Sequence, residues 1–177
     1  MMEDLSLHIL DLAENAAAAG ATRVRIAVNE NERRDVLTIR VADDGRGMTA
    51  ADRGRALDPF FTTGRKRTGL GLALLAQTAE ACGGRLTLAS TPGRGTTIVV
   101  RLPFRHVDRP PLTRMASTMM TLFFGHPEID ILYTHTRNGS RFSMLRKGRD
   151  PSAPAGEAEI SGLRESLRAG LGRVGAG

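Results

Sequence analysis

A chain of 177 residues, 41% of them hydrophobic, is long enough for one ordinary domain, or one domain with a small appendage, around a buried core. Its single cysteine, Cys82, excludes an internal disulfide framework and a cysteine-rich metal site. The formal net charge is +6 and 23 of the 25 basic residues are arginine; yet the arginines are scattered in sequence and aromatics make up only 4%, which argues against a nucleic-acid surface built on stacking.

Glu3 and Asp4 precede the first apolar residues, the wrong pattern for a secretory signal. No apolar run approaches the roughly 20 residues of a membrane helix, so a cytoplasmic chain with no membrane partner is expected. "DLSLHILDLAENAAAAG" then reads as a helix, with Asp4 or Ser6 as cap, Leu5, Ile9, Leu12 and Ala16 on one face, and Gly20 as the stop. Two alternating strands follow: Val24, Ile26 and Val28 share one face, and Leu37, Ile39 and Val41 another. The charged "NENERRD" between them reads as a hairpin loop.

"TAADRGRAL" predicts a short helix capped by Thr49, with Asp52 three residues on. The segment from Asp58 to Gly71 is glycine-rich, basic and without periodicity, hence a loop. "LALLAQTAEACGG" is a second amphipathic helix ended by Gly83 and Gly84. "RLTLAS" and "TTIVVRLPF" are strands joined by the turn "TPGRG". This order predicts an α+β sandwich, helices layered on one face of a largely antiparallel sheet.

Composition shifts near Arg105. Residues 105–147 predict a helix carrying Leu112, Met115, Met119 and Leu122 on one side, then two strands around Arg137-Asn138-Gly139. The Met-rich stripe is expected to be core rather than a partner surface. Residues 148–177 read as a flexible tail with a short helix.

Three stretches carry chemistry. In "VADDGRGMT" two carboxylates open a glycine turn at a strand end. An ionised Asp only accepts hydrogen bonds, so this turn suits a ligand with donors, such as the exocyclic amine of adenine at Asp43, rather than a phosphate. Gly45 and Gly47 would leave room for a flat ring, and Met48 would pack on it; taken alone, an ordinary hairpin or capping turn is the plainer reading. In "DLAEN", Asp11 and Asn15 lie four apart on one helix face. Asn15 offers the neutral oxygen that suits magnesium, and Asp11 a carboxylate that orients or deprotonates a water. In "RTGLGLALL" glycines lead into a helix beside Arg65, Lys66 and Arg67, the makings of a phosphate cradle.

The three together, in this order, resemble the Bergerat nucleotide-binding fold of the gyrase, Hsp90, histidine-kinase and MutL superfamily, over roughly residues 5 to 104. "DLAENAAAAGAT" looks like its N box, "DDGRG" its DxGxG motif, "DPFFTT" its F box and "TGLGLAL" its second glycine box. "GRGTT" is similar to the segment whose threonine helps bind adenine, here Thr96. The resemblance implies a two-layer α/β sandwich over residues 1–104, with a small C-terminal α-β-β appendage. It implies ATP with magnesium through Asn15, adenine through Asp43 and Thr96 beside Gly45, Gly47 and Met48, and phosphates through Thr68, Gly69, Leu70 and Gly71, under a lid from Asp58 to Gly69. Arg67 replaces the usual glycine before the second box, and Asp11 stands where the ATPase branch has a glutamate base. The lid and the closing strand are most similar to histidine kinases, yet none of His8, His106, His126 and His135 sits in a phosphoacceptor pattern, and His8 is expected to pack structurally. To about residue 146 the chain resembles a stand-alone family of histidine-kinase-type ATP-binding proteins, often encoded beside subunits of iron hydrogenases and NADH-linked redox complexes. That implies a kinase or ATPase module lacking its own acceptor and acting on a partner protein, as a phosphoacceptor or redox-complex subunit, or an ATP-driven switch with slow or no hydrolysis. A homodimer is a further expectation.

Overall fold

The computed structural model describes residues 4–58 and 70–176. Along the chain run α1 (Leu5–Ala18), β1 (Arg23–Asn31), β2 (Val36–Asp43), α2 (Ala50–Arg55), α3 (Leu70–Ala81), β3 (Arg85–Thr91), β4 (Gly95–Pro103), α4 (Met115–Gly125), β5 (Asp130–Arg137), β6 (Ser140–Arg146) and α5 (Glu157–Val174). The strands form one six-stranded sheet in the order β3-β4-β2-β1-β5-β6. Every neighbouring pair is antiparallel except β1 and β5, which run parallel. The helices pack on one side, giving the two-layer α/β sandwich of the Bergerat type.

Alternation builds the interface between the layers. Val24, Ile26 and Val28 of β1, Leu37, Ile39 and Val41 of β2, and Ile98, Val100 and Leu102 of β4 all point inward and are buried. Leu5, Ile9, Leu12, Ala13 and Ala16 recur at helical spacing on α1 and cover them. The Asp4 carboxylate caps α1, accepting from the Ser6 N–H at 2.9 Å, and also accepts from the Thr113 hydroxyl at 2.6 Å. Burial pushes its pKa up, but the bonds from Ser6 and Thr113 outweigh that and hold it below the usual range. Gly20, at φ +74°, ends the helix as expected.

The hairpin loop is shorter than its charge suggests. β1 runs on to Asn31 because Glu30 points inward, where its Oε1 lies 2.7 Å from His135 Nε2, and His135 Nδ1 lies 2.7 Å from the Tyr133 hydroxyl. All three residues are buried, and burial, reinforced by the Glu30 charge, raises the Tyr133 phenol far above its ordinary value. The C-terminal α-β-β unit is continuous with the rest, since β5 lies in register beside β1 from Arg23↔Asp130 to Glu30↔Arg137. Its hairpin turns at Asn138 and Gly139, both at positive φ. Met115, Met119, Leu122 and Phe123 make the Met-rich face core. The segment read as a tail with a short helix carries the 18-residue α5, whose Leu167, Leu171 and Val174 are buried and whose Gly170 faces Phe142.

Candidate functional site

The acidic turn sits where three parts of the chain meet. β2 ends at Asp43; the turn then passes between the end of α1, the start of β1 and the β3–β4 hairpin. The Arg46 N–H donates to Ala19 O at 2.9 Å, and the Gly93 N–H donates to Arg46 O at 2.8 Å. The turn is therefore clamped on both sides.

Its two carboxylates do different things. Asp44 is consumed by the protein. It accepts from the Thr22 N–H and hydroxyl and from the Arg23 N–H, each at 2.8 Å, and from Arg23 Nε at 3.0 Å. Burial works against its charge, but these four donors win and hold the carboxyl well below the ordinary range. Asp43 keeps one oxygen open. Its Oδ1 accepts from the Gly45 N–H at 2.9 Å and, more weakly, from the Thr96 N–H at 3.3 Å. Among the described residues Oδ2 receives no bond. Burial raises the Asp43 carboxyl above its ordinary value, with a small further push from Asp44, against the pull of the two N–H groups.

A hydroxyl that the sequence reading passed over organises the far wall. Ser90, buried at the end of β3, accepts from the Met48 N–H at 2.9 Å, donates to Gly95 O at 3.0 Å and lies 2.9 Å from the Thr96 hydroxyl. Its signal was present: Leu86, Leu88 and Ser90 share the inward face of β3, so a polar residue ends an inward row beside the turn.

The glycines have reasons other than clearance for a ring. A Cβ at Gly47, which is at φ +66°, would lie 2.0 Å from Thr91 O, and one at Gly45 would lie 3.0 Å from Ala19 Cβ, Ala19 O and Asp43 Oδ1. A Cβ at Gly95, at φ +86°, would lie 2.0 Å from Asp43 O. These glycines let the turn, α1 and the hairpin approach each other closely.

The N box and the second glycine box also meet. A Cβ at Gly71, in the first turn of α3, would lie 1.5 Å from Asp11 Oδ2. The carboxylate thus sits against a helix N-terminus, where the helix dipole favours negative charge. Asn15 is exposed one turn further along α1, while Glu14 between them reaches within 3.0 Å of His126 Nε2. His8, on the same helix, is buried. Leu70 opens α3. Asp58, where the F box and the expected lid begin, follows α2; Thr68, Gly69, Arg65, Lys66 and Arg67, with the F box and the lid beyond Asp58, lie outside the described residues. Thr49 caps α2 as expected, accepting from the Asp52 N–H at 3.1 Å.

Residues 3–106 match the family model described as histidine kinase-, DNA gyrase B-, and HSP90-like ATPase. The chain is 44% identical over 95 residues to the sensor protein kinase FleS of Pseudomonas aeruginosa, covering 54% of this chain and 24% of that kinase. It is 34% identical over 107 residues to the sensor histidine kinase ZraS of Escherichia coli, covering 60% of this chain and 23% of ZraS. The chain thus spans about a quarter of the length of these relatives. Among solved structures, the Aquifex aeolicus MutL ATPase domain complexed with ADP matches with a TM-score of 0.59 at 15% identity, covering 93% of this chain and 70% of that one. No helix among the described residues is long and apolar enough to cross a membrane.

Proposed function

Since the chain belongs to the histidine kinase-, DNA gyrase B-, and HSP90-like ATPase family, carrying an ATP-binding, kinase-like module, we propose that it binds Mg-ATP and acts on, or regulates, a partner protein that supplies what the module lacks. The partner is a phosphoacceptor or a redox-complex subunit; where phosphate is transferred, the acceptor lies on the partner.

The observation that carries the reading is the asymmetry of Asp43. With Oδ1 filled by the Gly45 and Thr96 N–H groups, Oδ2 is an oriented acceptor for one donor, which fits the exocyclic amine of adenine. The Thr96 hydroxyl, held by Ser90, stands at the same end of the sheet for a second polar contact. Met48, fixed through its N–H, offers the apolar side. Phosphates belong to the start of α3, at Leu70 and Gly71, where backbone N–H groups lack partners within the helix, and to Thr68 and Gly69 just before them in the sequence.

Magnesium fits the donor set. It takes one or two protein oxygens and completes its shell with water and phosphate oxygens. The exposed Asn15 amide oxygen suffices for that, and the ion would neutralise charge on the phosphates. Among the described residues there is no group of three or more His, Cys, Asp or Glu that competes for it.

Asp11 favours a second reading, an ATP-driven switch with slow or no hydrolysis. Its carboxylate, one methylene shorter than a glutamate, is packed against the first turn of α3. Phosphates arriving at that turn would meet a like charge, so binding and the position of α3 are coupled.

Incubation with γ-labelled ATP and magnesium, following free phosphate and protein-bound label separately, tests both. Turnover that disappears in Asn15→Ala and Asp11→Asn supports an ATPase. ATP binding without turnover, and labelling of an added partner, supports the kinase module. Absence of ATP binding overturns both readings.

A further inference from the structure

The helix-free side of the sheet carries a row of arginines that sequence order conceals. The inward rows of β1 to β4 are apolar along their middles, with polar residues such as Glu30 and Ser90 at their ends; the alternate positions face out. On that outer side Arg85 of β3 stands directly opposite Arg101 of β4. Arg101 pairs with Thr38 of β2, and Arg40 lies two residues along the same strand, so Arg101 and Arg40 are diagonal neighbours. Arg40 pairs with Ala27 of β1, and Arg25 is again two residues along. The four arginines therefore make one diagonal stripe across four adjacent strands, all exposed, and none has an ion-pair partner among the described residues.

A solvated face ordinarily mixes the two signs of charge. The outward positions of β1 to β4 hold no carboxylate. Most neighbours of the stripe are small or neutral: Ala27, Thr38, Ala42, Thr87, Thr97 and Val99. The charged ones lie at the Arg25 end and are already paired, Arg23 with Asp44 and Asp130 of β5 with Lys147. Like charges directly opposite on a sheet cost stability, and nothing on the face offsets the Arg85–Arg101 pair. At the β1 end the stripe runs into an apolar pair, since Arg25 neighbours Leu132, which pairs with Leu145, 52% exposed.

We propose that this face docks a partner protein through an acidic helix. Strands lie about 4.8 Å apart and diagonal neighbours about 7–8 Å, so the stripe extends roughly 20 Å. Carboxylates at every third or fourth position of a helix recur about every 5.4 Å, so about four turns of acidic helix span the stripe with a carboxylate within reach of each arginine. Guanidinium forks pair bidentately with carboxylates, and an apolar residue at one end of the helix would cover Leu132 and Leu145. The outward positions of these four strands hold no aromatic ring for base stacking, which favours a protein over a single-stranded nucleic acid. The surface lies on the opposite side of the sheet from the helices and does not depend on the nucleotide reading.

The test uses the full chain and a fluorescent helical peptide of about 20 residues with glutamate along one face and a leucine at one end. Anisotropy titrations compare wild type with Arg40→Glu/Arg101→Glu and with Arg164→Glu/Arg168→Glu, which makes the same charge change on α5. The stripe pair should weaken binding about tenfold or more, and the α5 pair about twofold or less. Arg40→Gln/Arg101→Gln, which only removes repulsion, should fold like wild type by circular dichroism and still lose affinity. Equal losses in both Glu pairs, or no peptide binding by wild type, overturn the proposal. So does a poly-dT oligonucleotide or an anionic vesicle binding more tightly than the peptide through the same arginines.

Discussion

Asp43→Asn puts the adenine assignment at risk with one atom changed. The amide can keep its oxygen where Oδ1 now accepts from Gly45 and Thr96, at 2.9 and 3.3 Å. The NH2 group then replaces the open Oδ2 and presents a donor to a donor. Flipping the amide restores an acceptor toward the ligand but turns the NH2 group on two backbone N–H groups. Either way a charge-assisted hydrogen bond is lost, about 1.5 to 3 kcal/mol. At 1.4 kcal/mol per tenfold, ATP affinity should fall about 10- to 150-fold. Calorimetric titration with Mg-ATP measures this, alongside a thermal melt to show that the fold persists. A 6-oxo purine triphosphate, which lacks the amine, should bind wild type weakly and distinguish the two proteins much less. Unchanged ATP affinity in the variant would refute the reasoning.

Four further outcomes follow from the same geometry. Because burial raises the Asp43 carboxyl, it protonates at higher pH than an ordinary aspartate, so ATP affinity should begin to fall above the usual carboxylate range on acidification; titrations in Asp43→Asn should lose that dependence. Asp44→Ala removes four bonds to Thr22 and Arg23 and should cost about 1 to 3 kcal/mol in urea denaturation at neutral pH. Its folded-state pKa is depressed, so this contribution is present above the unfolded value near 3.9 and is lost as pH falls through the folded value, and wild type and variant should converge in strong acid. Gly47→Ala strains a left-handed residue and drives a methyl into Thr91 O, so it should lower the melting temperature by several degrees, about 1 kcal/mol or more, and weaken ATP binding in the same titration. Truncation before α5 exposes the surface against which Leu167, Leu171 and Val174 are buried, a loss of about 4 to 9 kcal/mol and much of a domain's stability; a cooperative melt should disappear.

What the sequence made legible was local. Val24-Ile26-Val28 and Leu37-Ile39-Val41 alternate without interruption, so β1 and β2 could be read directly, and Gly20 marks its helix end. The boxes could be read because their residues are contiguous. What could not be read depends on pairing across distance. Glu30 looked like loop because its partner, His135, is more than a hundred residues away. The arginines looked scattered because their row runs across strands rather than along the chain. Gly45 and Gly47 looked like clearance for a ligand because nothing near them in sequence names Ala19 and Thr91 as what they must clear. α5 is longer than expected because its polar faces hide a sparse apolar row at Leu163, Leu167, Leu171 and Val174.

The parallel neighbour of β1 also sets an order of events as the chain is made. β1 pairs with β2 within the first 43 residues, but its other side waits for β5, complete only at Arg137. At 5 to 20 residues per second this leaves a strand edge unpaired for roughly 5 to 20 s on the ribosome. That edge begins at Thr22 and Arg23, the residues that grip Asp44, and Thr22 O is itself taken by the Asp130 N–H at 2.9 Å. The acidic turn is written early, but its anchorage is finished late, when β5 closes over the edge that holds Thr22 and Arg23.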